Sequence, residues 1–198
     1  RRRPGLDGQH FTYKNEEYYT TLLGPHQLKN AAVVIETART LQMKGWNISD
    51  EHIKSGLAAT IWPARFQVMG EGPFILDGGH NPQCISALAD CIKEYLPGQK
   101  VILLSGILAD KNYMQVIDII KPCAEEIICV TPPSPRALNA DELAALYKAA
   151  GVKSVATKTV KEGIELTKEK SEKTGLPVVA FGSLYLAGHV RGVYQEMF

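Results

Sequence analysis

The stretch Asp77-Gly78-Gly79-His80-Asn81-Pro82 follows the apolar run Phe74-Ile75-Leu76. A carboxylate at the end of an apolar strand is poorly solvated unless it meets a partner. Glycines there let another group approach the backbone. His80 stands just ahead of a predicted helix start, whose free N–H groups favour an anion. Asp and Asn are also ordinary turn and capping residues, so the stretch reads equally as a capped turn or as a site. Two more apolar runs end in polar loops. In SGILADKNY, Lys111 can hold a carboxylate or phosphate as a point charge, or simply be solvated. In VVAFGSLYLAG, Ser183 can cap the next helix or offer its hydroxyl and backbone N–H to a ligand.

Two upstream residues join this set. Arg65 in WPARF carries a guanidinium suited to a phosphate across a cleft, or to a structural ion pair. Asn30 in PHQLKNA lies mid-helix, where Asn is not favoured. It is either exposed or hydrogen bonded to a base. His10, His26, His52 and His189 have no metal-ligand spacing, so no metal is assigned to this chain. Trp46 and Trp62 are expected to pack.

The elements that must position these residues follow from the apolar pattern. HFTYKNEEYYTTLLG predicts one or two short strands with a turn near Lys14-Asn15. A helix is predicted from Pro25 to about Lys44, and a short one from a Ser49 cap to about Ala58. FQVM and PFILD predict two strands separated by the turn GEG. Helices and apolar runs then alternate: Asn81 to Leu96, KVILLSGI, a helix with Met114, Ile117 and Ile120 inward, EIICVT, NADELAALYKAAG, VKSVAT, Val160 to about Glu172, PVVAFGS, and Leu184 to Met197. The fold class is therefore α/β, a doubly wound, mostly parallel sheet flanked by helices over residues 66–198. Ligands meet such sheets at the carboxyl ends of the strands, and the loops of Asp77, Lys111 and Ser183 share that edge. The boundary falls near residues 61–64. The sixty or so residues before it are too few to complete a core of their own.

Composition narrows the function. With 198 residues, 45% of them hydrophobic, and a formal net charge of +1, the chain has a globular balance and no overall field for nucleic acid or anionic membrane. Arg1-Arg2-Arg3 is read as a solvated tail. Cys84, Cys91, Cys123 and Cys129 lack C-x-x-C spacing and are expected to be buried, reduced thiols of a cytoplasmic protein. No signal peptide or membrane-length apolar stretch is present, and the chain does not open on Met, so it is read as processed or as a fragment. There is no G-x-G-x-x-G, no G-x-x-x-x-G-K-[ST] and no G-x-S-x-G.

In order, LLGPHQLKNA, IWPARFQVM, ILDGGHNP, SGILADKNY and AFGSLYLAGHVR resemble folylpolyglutamate synthases and the bifunctional dihydrofolate/folylpolyglutamate synthases, which are ATP-dependent Mur-type amide ligases. The resemblance covers essentially the whole chain. It implies that residues 1–60 are the helical tail of a truncated central ATPase domain, and that residues 64–198 are its C-terminal Rossmann-like domain. It also implies ATP, Mg2+, L-glutamate and a folate or dihydropteroate as partners, with the P-loop and the metal ligands upstream of this chain. Carried over residue by residue, Asn30 touches the adenine side, Arg65 the phosphates and Asp77 the ribose. His80 and Ser183 lie by the incoming glutamate or the reacting phosphate, as catalytic candidates, and Lys111 is a candidate for a glutamate carboxylate. The chain departs from the family with Ala64 for Gly, Gly79 for Ala and Asn112 for Asp. Ala64 is expected to resist a positive φ before Arg65, and Asn112 removes a charge beside Lys111. Two other readings remain: a Mur-type ligase acting on a peptidoglycan precursor, and a nucleotide- or amino-acid-binding module without catalysis.

Overall fold

The computed structural model describes residues 4–70 and 74–198. The Arg1–Arg3 tail, and the part of the GEG turn at Glu71 and Gly72, lie outside the described residues. Contacts gather the chain into two compact units, one ending at Pro63 and one spanning Ala64–Phe198.

The smaller unit starts with three antiparallel strands in the order β1-β2-β3: β1 (Pro4–Gly5), β2 (Gly8–Tyr13) and β3 (Glu16–Thr20). Lys14 and Asn15 form the β2–β3 turn with φ of 48° and 65°, the left-handed pair whose twist matches that of a hairpin. Helix α1 (Pro25–Met43) has proline in its first turn, where the missing N–H costs nothing. Helix α2 (Asp50–Ala58) begins with a reciprocal cap: Ser49 accepts the His52 N–H, and the His52 side chain accepts the Ser49 N–H. Phe11, Tyr18, Ala31, Ile35, Ile53 and Leu57 form the core. Val33 and Val34 on α1 are exposed.

Trp46 and Trp62 are exposed at 63% and 60%, which corrects the expectation that they pack. Trp46 lies in the turn behind α1, where its N–H is held by the Leu41 carbonyl, and Trp62 lies in the link before Pro63. Both sit on connecting segments outside the strands and helices.

The larger unit is built on a six-stranded sheet in the order β4-β5-β9-β6-β7-β8. Strands β4 (Gln67–Met69) and β5 (Phe74–Leu76) pair antiparallel. The chain then alternates: α3 (Pro82–Tyr95), β6 (Val101–Ser105), α4 (Tyr113–Ile120), β7 (Ala124–Cys129), α5 (Ala140–Ala149), β8 (Ser154–Ala156), α6 (Val160–Thr174), β9 (Val178–Phe181) and α7 (Leu184–Met197). From β5 onward all pairings are parallel. Every residue of β5, β6 and β9 is buried, because helices cover both faces of a parallel sheet.

The last strand returns to insert between β5 and β6. The carboxyl ends of β5, β9 and β6 thus stand side by side, at the place where an open α/β sheet takes its ligands. Two core expectations need correction. Met114 is 53% exposed, while Val116, Ile117 and Ile120 form the buried stripe of α4; at 3.6 residues per turn Met114 falls well off that stripe. Cys84 is half-buried, whereas Cys91, Cys123 and Cys129 are buried.

Candidate functional site at the carboxyl edge of the sheet

Asp77 extends β5 by one residue, its N–H donating to the Ala180 carbonyl of β9 at 2.9 Å. Its carboxylate then organises two loops at once. Oδ2 accepts the Phe66 N–H at 2.9 Å and Oδ1 accepts the Gly79 N–H at 2.7 Å. The Gly78 N–H donates to the Ala64 carbonyl at 2.8 Å, and the Ala64 N–H to Oε1 of Gln67 at 3.0 Å. Residues 64–67 and 77–79 are therefore cross-tied by two bonds, one of them to a carboxylate, the stronger kind, and each segment is braced by one further bond of its own.

This tie sets the aim of Arg65. Ala64 has φ 55° and Phe66 has φ 46°, so the arginine is flanked by two left-handed residues, and both are buried. The expectation that Ala64 would resist a positive φ is thus corrected: the surrounding bonds over-determine the backbone at a cost of about 1 kcal/mol or more per residue. Arg65 is half-buried and forms no hydrogen bond or ion pair among the described residues. One of its guanidinium nitrogens lies 3.4 Å from where a Cβ on Gly78 would stand, and Leu184 closes the other side at 2.5 Å. Glycine at 78 is what lets the two approach.

His80 is half-buried, with Nδ1 3.0 Å from the Gly78 carbonyl. A carbonyl only accepts, so Nδ1 carries the hydrogen and Nε2 of the neutral ring is left as an acceptor. Asn81 caps α3 by accepting the Cys84 N–H at 2.9 Å. An alanine at 79 would need a shift, since a Cβ would stand 2.9 Å from Oδ1 of Asp77.

The Gly182 N–H donates to the Gly79 carbonyl at 3.0 Å, and the Gly106 N–H to the Phe181 carbonyl at 3.2 Å. The loops after β5, β9 and β6 are in direct backbone contact. Gly182 has φ 127°, and a Cβ there would stand 2.4 Å from the Gly106 carbonyl oxygen. Ser183, next in the chain, is 1% exposed and caps α7, its Oγ accepting the Leu186 N–H at 2.9 Å. The capping role is the one the structure displays. The hydroxyl hydrogen remains for a second partner.

Lys111 is farther along the same edge, in the loop after β6, with Nζ 3.9 Å from Oδ2 of Asp110. Asn112 caps α4 by accepting the Gln115 N–H. Arg136, in the loop after β7, was not among the residues singled out from the sequence. It donates to the same Asp110 oxygen at 3.0 Å, and its guanidinium carbon lies 6.0 Å from the centre of the Tyr185 ring. No sequence signal marks it, because its neighbours come from the loop after β6 and the first turn of α7. Asn30 belongs to the smaller unit. It is exposed on α1, and its Nδ2 donates to Oε1 of Gln27 at 3.0 Å. Among the described residues no three His, Cys, Asp or Glu side chains are grouped to hold a metal ion.

The chain belongs to the Mur ligase family, matching its glutamate ligase domain over residues 64–184. Among curated relatives, the folylpolyglutamate synthase of Lacticaseibacillus casei is 32% identical over 93% of this chain and 43% of its own length. The dihydrofolate synthase/folylpolyglutamate synthase of Bacillus subtilis is 30% identical over 93% of this chain and 44% of its own length. The chain therefore spans less than half the length of these relatives. Among solved structures, the folylpolyglutamate synthase of Thermotoga maritima superposes with a TM-score of 0.78 at 29% identity, over 96% of this chain and 44% of that one. The Mycobacterium tuberculosis folylpolyglutamate synthase, solved in complex with ADP and AMPPCP, gives a TM-score of 0.86 at 23% identity, over 98% and 47%, and so shares the fold.

Proposed function

We propose that this chain is the C-terminal portion of a cytoplasmic, ATP-dependent folylpolyglutamate synthase that adds L-glutamate to a folate, with dihydropteroate as a possible second acceptor of a bifunctional enzyme. In the first step a folate carboxylate oxygen attacks the γ-phosphorus of ATP and ADP leaves. In the second the glutamate amine attacks the acyl carbon, the amine gives up a proton and phosphate departs. Magnesium, which this class of reaction uses to neutralise polyphosphate charge, is assigned by the family resemblance to residues upstream of this chain.

The observation that carries the reading is the Gly182–Gly79 backbone bond. It sets the residues that follow each glycine, Ser183 and His80, on adjoining loops at the carboxyl edge of the sheet. His80 Nε2 is an acceptor suited to the proton lost by the amine, and the Ser183 hydroxyl and the start of α7 are donors suited to an oxyanion. Arg65, half-buried with an uncommitted guanidinium, suits a phosphate. The Asp77 carboxylate, which accepts two backbone N–H groups, is assigned to a ribose hydroxyl. Lys111 suits a glutamate carboxylate, and Asn30, on the smaller unit, an adenine edge.

The test is a substrate screen on the full-length gene product, with tetrahydrofolate and dihydropteroate offered in parallel. Glutamate-dependent release of ADP and phosphate with amide formation is expected on at least one of them. Turnover on neither, with turnover on a peptidoglycan precursor or on nothing, overturns the reading. The 198-residue chain alone has no sequence that cradles β- and γ-phosphates as a P-loop does, and is expected not to turn over.

A further inference from the structure

We propose that Asp110 is a built-in stand-in for a ligand carboxylate, and that Arg136 and Lys111 are the cations such a carboxylate takes over when it displaces Asp110. One oxygen of Asp110 faces both cations, 3.0 Å from an Arg136 nitrogen and 3.9 Å from Nζ of Lys111. The cations come from two different loops, after β6 and after β7. Those loops are held in register by their backbones: the Ala109 N–H donates to the Arg136 carbonyl at 2.8 Å, and the Leu138 N–H to the Ile107 carbonyl at 2.9 Å. The two cations therefore stay near each other whether or not Asp110 holds them.

Tyr185, in the first turn of α7 and two residues beyond Ser183, lies beneath the Arg136 guanidinium. A guanidinium over a ring offers its edge, a planar fork that fits a carboxylate through two parallel N–H donors. The side chains of Arg136, Asp110 and Lys111 are 52%, 44% and 32% exposed, so solvent and a small ligand can reach them. An ion pair this exposed is readily exchanged for another. The chemical class that fits is a small carboxylate. Naming it as a carboxylate of the incoming glutamate rests on the ligase reading above; the exchange itself rests on geometry alone.

The consequence is a specific sign. Asp110 competes with the ligand, so removing its charge must strengthen carboxylate binding rather than weaken it. The experiment titrates the 198-residue chain with L-glutamate, glutarate and sulfate, following the side-chain NMR signals of Arg136 and Lys111. For Asp110→Asn, the apparent Kd for glutarate is expected to fall about three- to tenfold, because affinity is reduced by the fraction of molecules in which the cations are occupied. Arg136→Lys is expected to lose the gain, while circular dichroism shows the fold intact. An unchanged or weaker Kd for Asp110→Asn overturns the proposal. An equal gain for sulfate overturns the carboxylate assignment. Ligation by the full-length gene product without carboxylate binding at Arg136 would sink this inference and leave the ligase reading standing. Binding here with no ligation would do the reverse.

Discussion

Gly45, in the unit ending at Pro63, and Gly182, in the unit Ala64–Phe198, use a positive φ in opposite ways, and the two units bury their apolar residues to different extents. In the smaller unit, Gly45 takes φ 88° with nothing within 4 Å of the place a Cβ would occupy, and Val33 and Val34 face outward from α1. In the larger unit, Gly182 takes φ 127° with the Gly106 carbonyl oxygen 2.4 Å from that place, and three strands are buried along their whole length. At Gly45 backbone freedom closes a turn. At Gly182 it lets neighbouring strand ends touch. The lesson is that the carboxyl edge of the sheet is built at near-contact distances, so its candidate residues are fixed by main chain rather than by side-chain packing.

The sharpest way to break this comparison is to put the same methyl at both glycines. Gly182→Ala is expected to cost about 4 kcal/mol or to prevent folding, because a backbone clash adds to the left-handed penalty. Gly45→Ala is expected to cost only about 1 kcal/mol, the penalty alone. Denaturant midpoints measure both, and equal losses would refute the contrast.

Next in size is Ile35→Ala, which removes a fully buried side chain from the small core at a cost of about 3 kcal/mol. Calorimetry of the chain should show two transitions, with this substitution lowering only the first. A single transition shifted as a whole would show that the units melt together.

Asp77→Ala is expected to cost about 3 kcal/mol, since it strips two backbone N–H groups of a charged acceptor. Asp77→Asn keeps one oxygen and should lose about half as much. If both variants are as stable as the parent, the carboxylate does not organise the loops.

The smallest effect has the opposite sign. Ala64→Gly relieves a left-handed alanine and should stabilise the chain by about 0.5 kcal/mol net of the added freedom of the unfolded state. A loss of stability would mean that the buried Ala64 methyl outweighs the strain.

Much of this architecture could be read from sequence because β5 and β9 are continuous apolar runs, β6 is one up to Ser105, and most helices carry a cap residue at the start. Ser49, Asn81, Asn112, Asn139, Thr159 and Ser183 all accept an N–H of the first turn. What escaped was decided by neighbours far along the chain. Trp46 and Trp62 are apolar by type, yet they sit on connecting segments. The bond of Asp77 to the Phe66 N–H depends on how β4 and β5 pair. Arg136 meets Asp110 and Tyr185 only because two loops and the start of α7 converge on one edge. Ala64 defied a local rule because Gly78 and Gln67 bond its carbonyl and its N–H. Local propensity has no access to such partners.

The central claim is that this edge carries the ligase chemistry, and Arg65 tests it most directly because it has no structural partner among the described residues. In the full-length gene product, Arg65→Ala should cut ATP- and glutamate-dependent amide formation by about 10²-fold, the loss expected when a group that stabilises charge on a transferring phosphoryl is removed. Its melting temperature should stay within about two degrees of the parent, because Arg65 makes no hydrogen bond or ion pair among the described residues. Parent-level turnover by a folded Arg65→Ala enzyme would contradict the account.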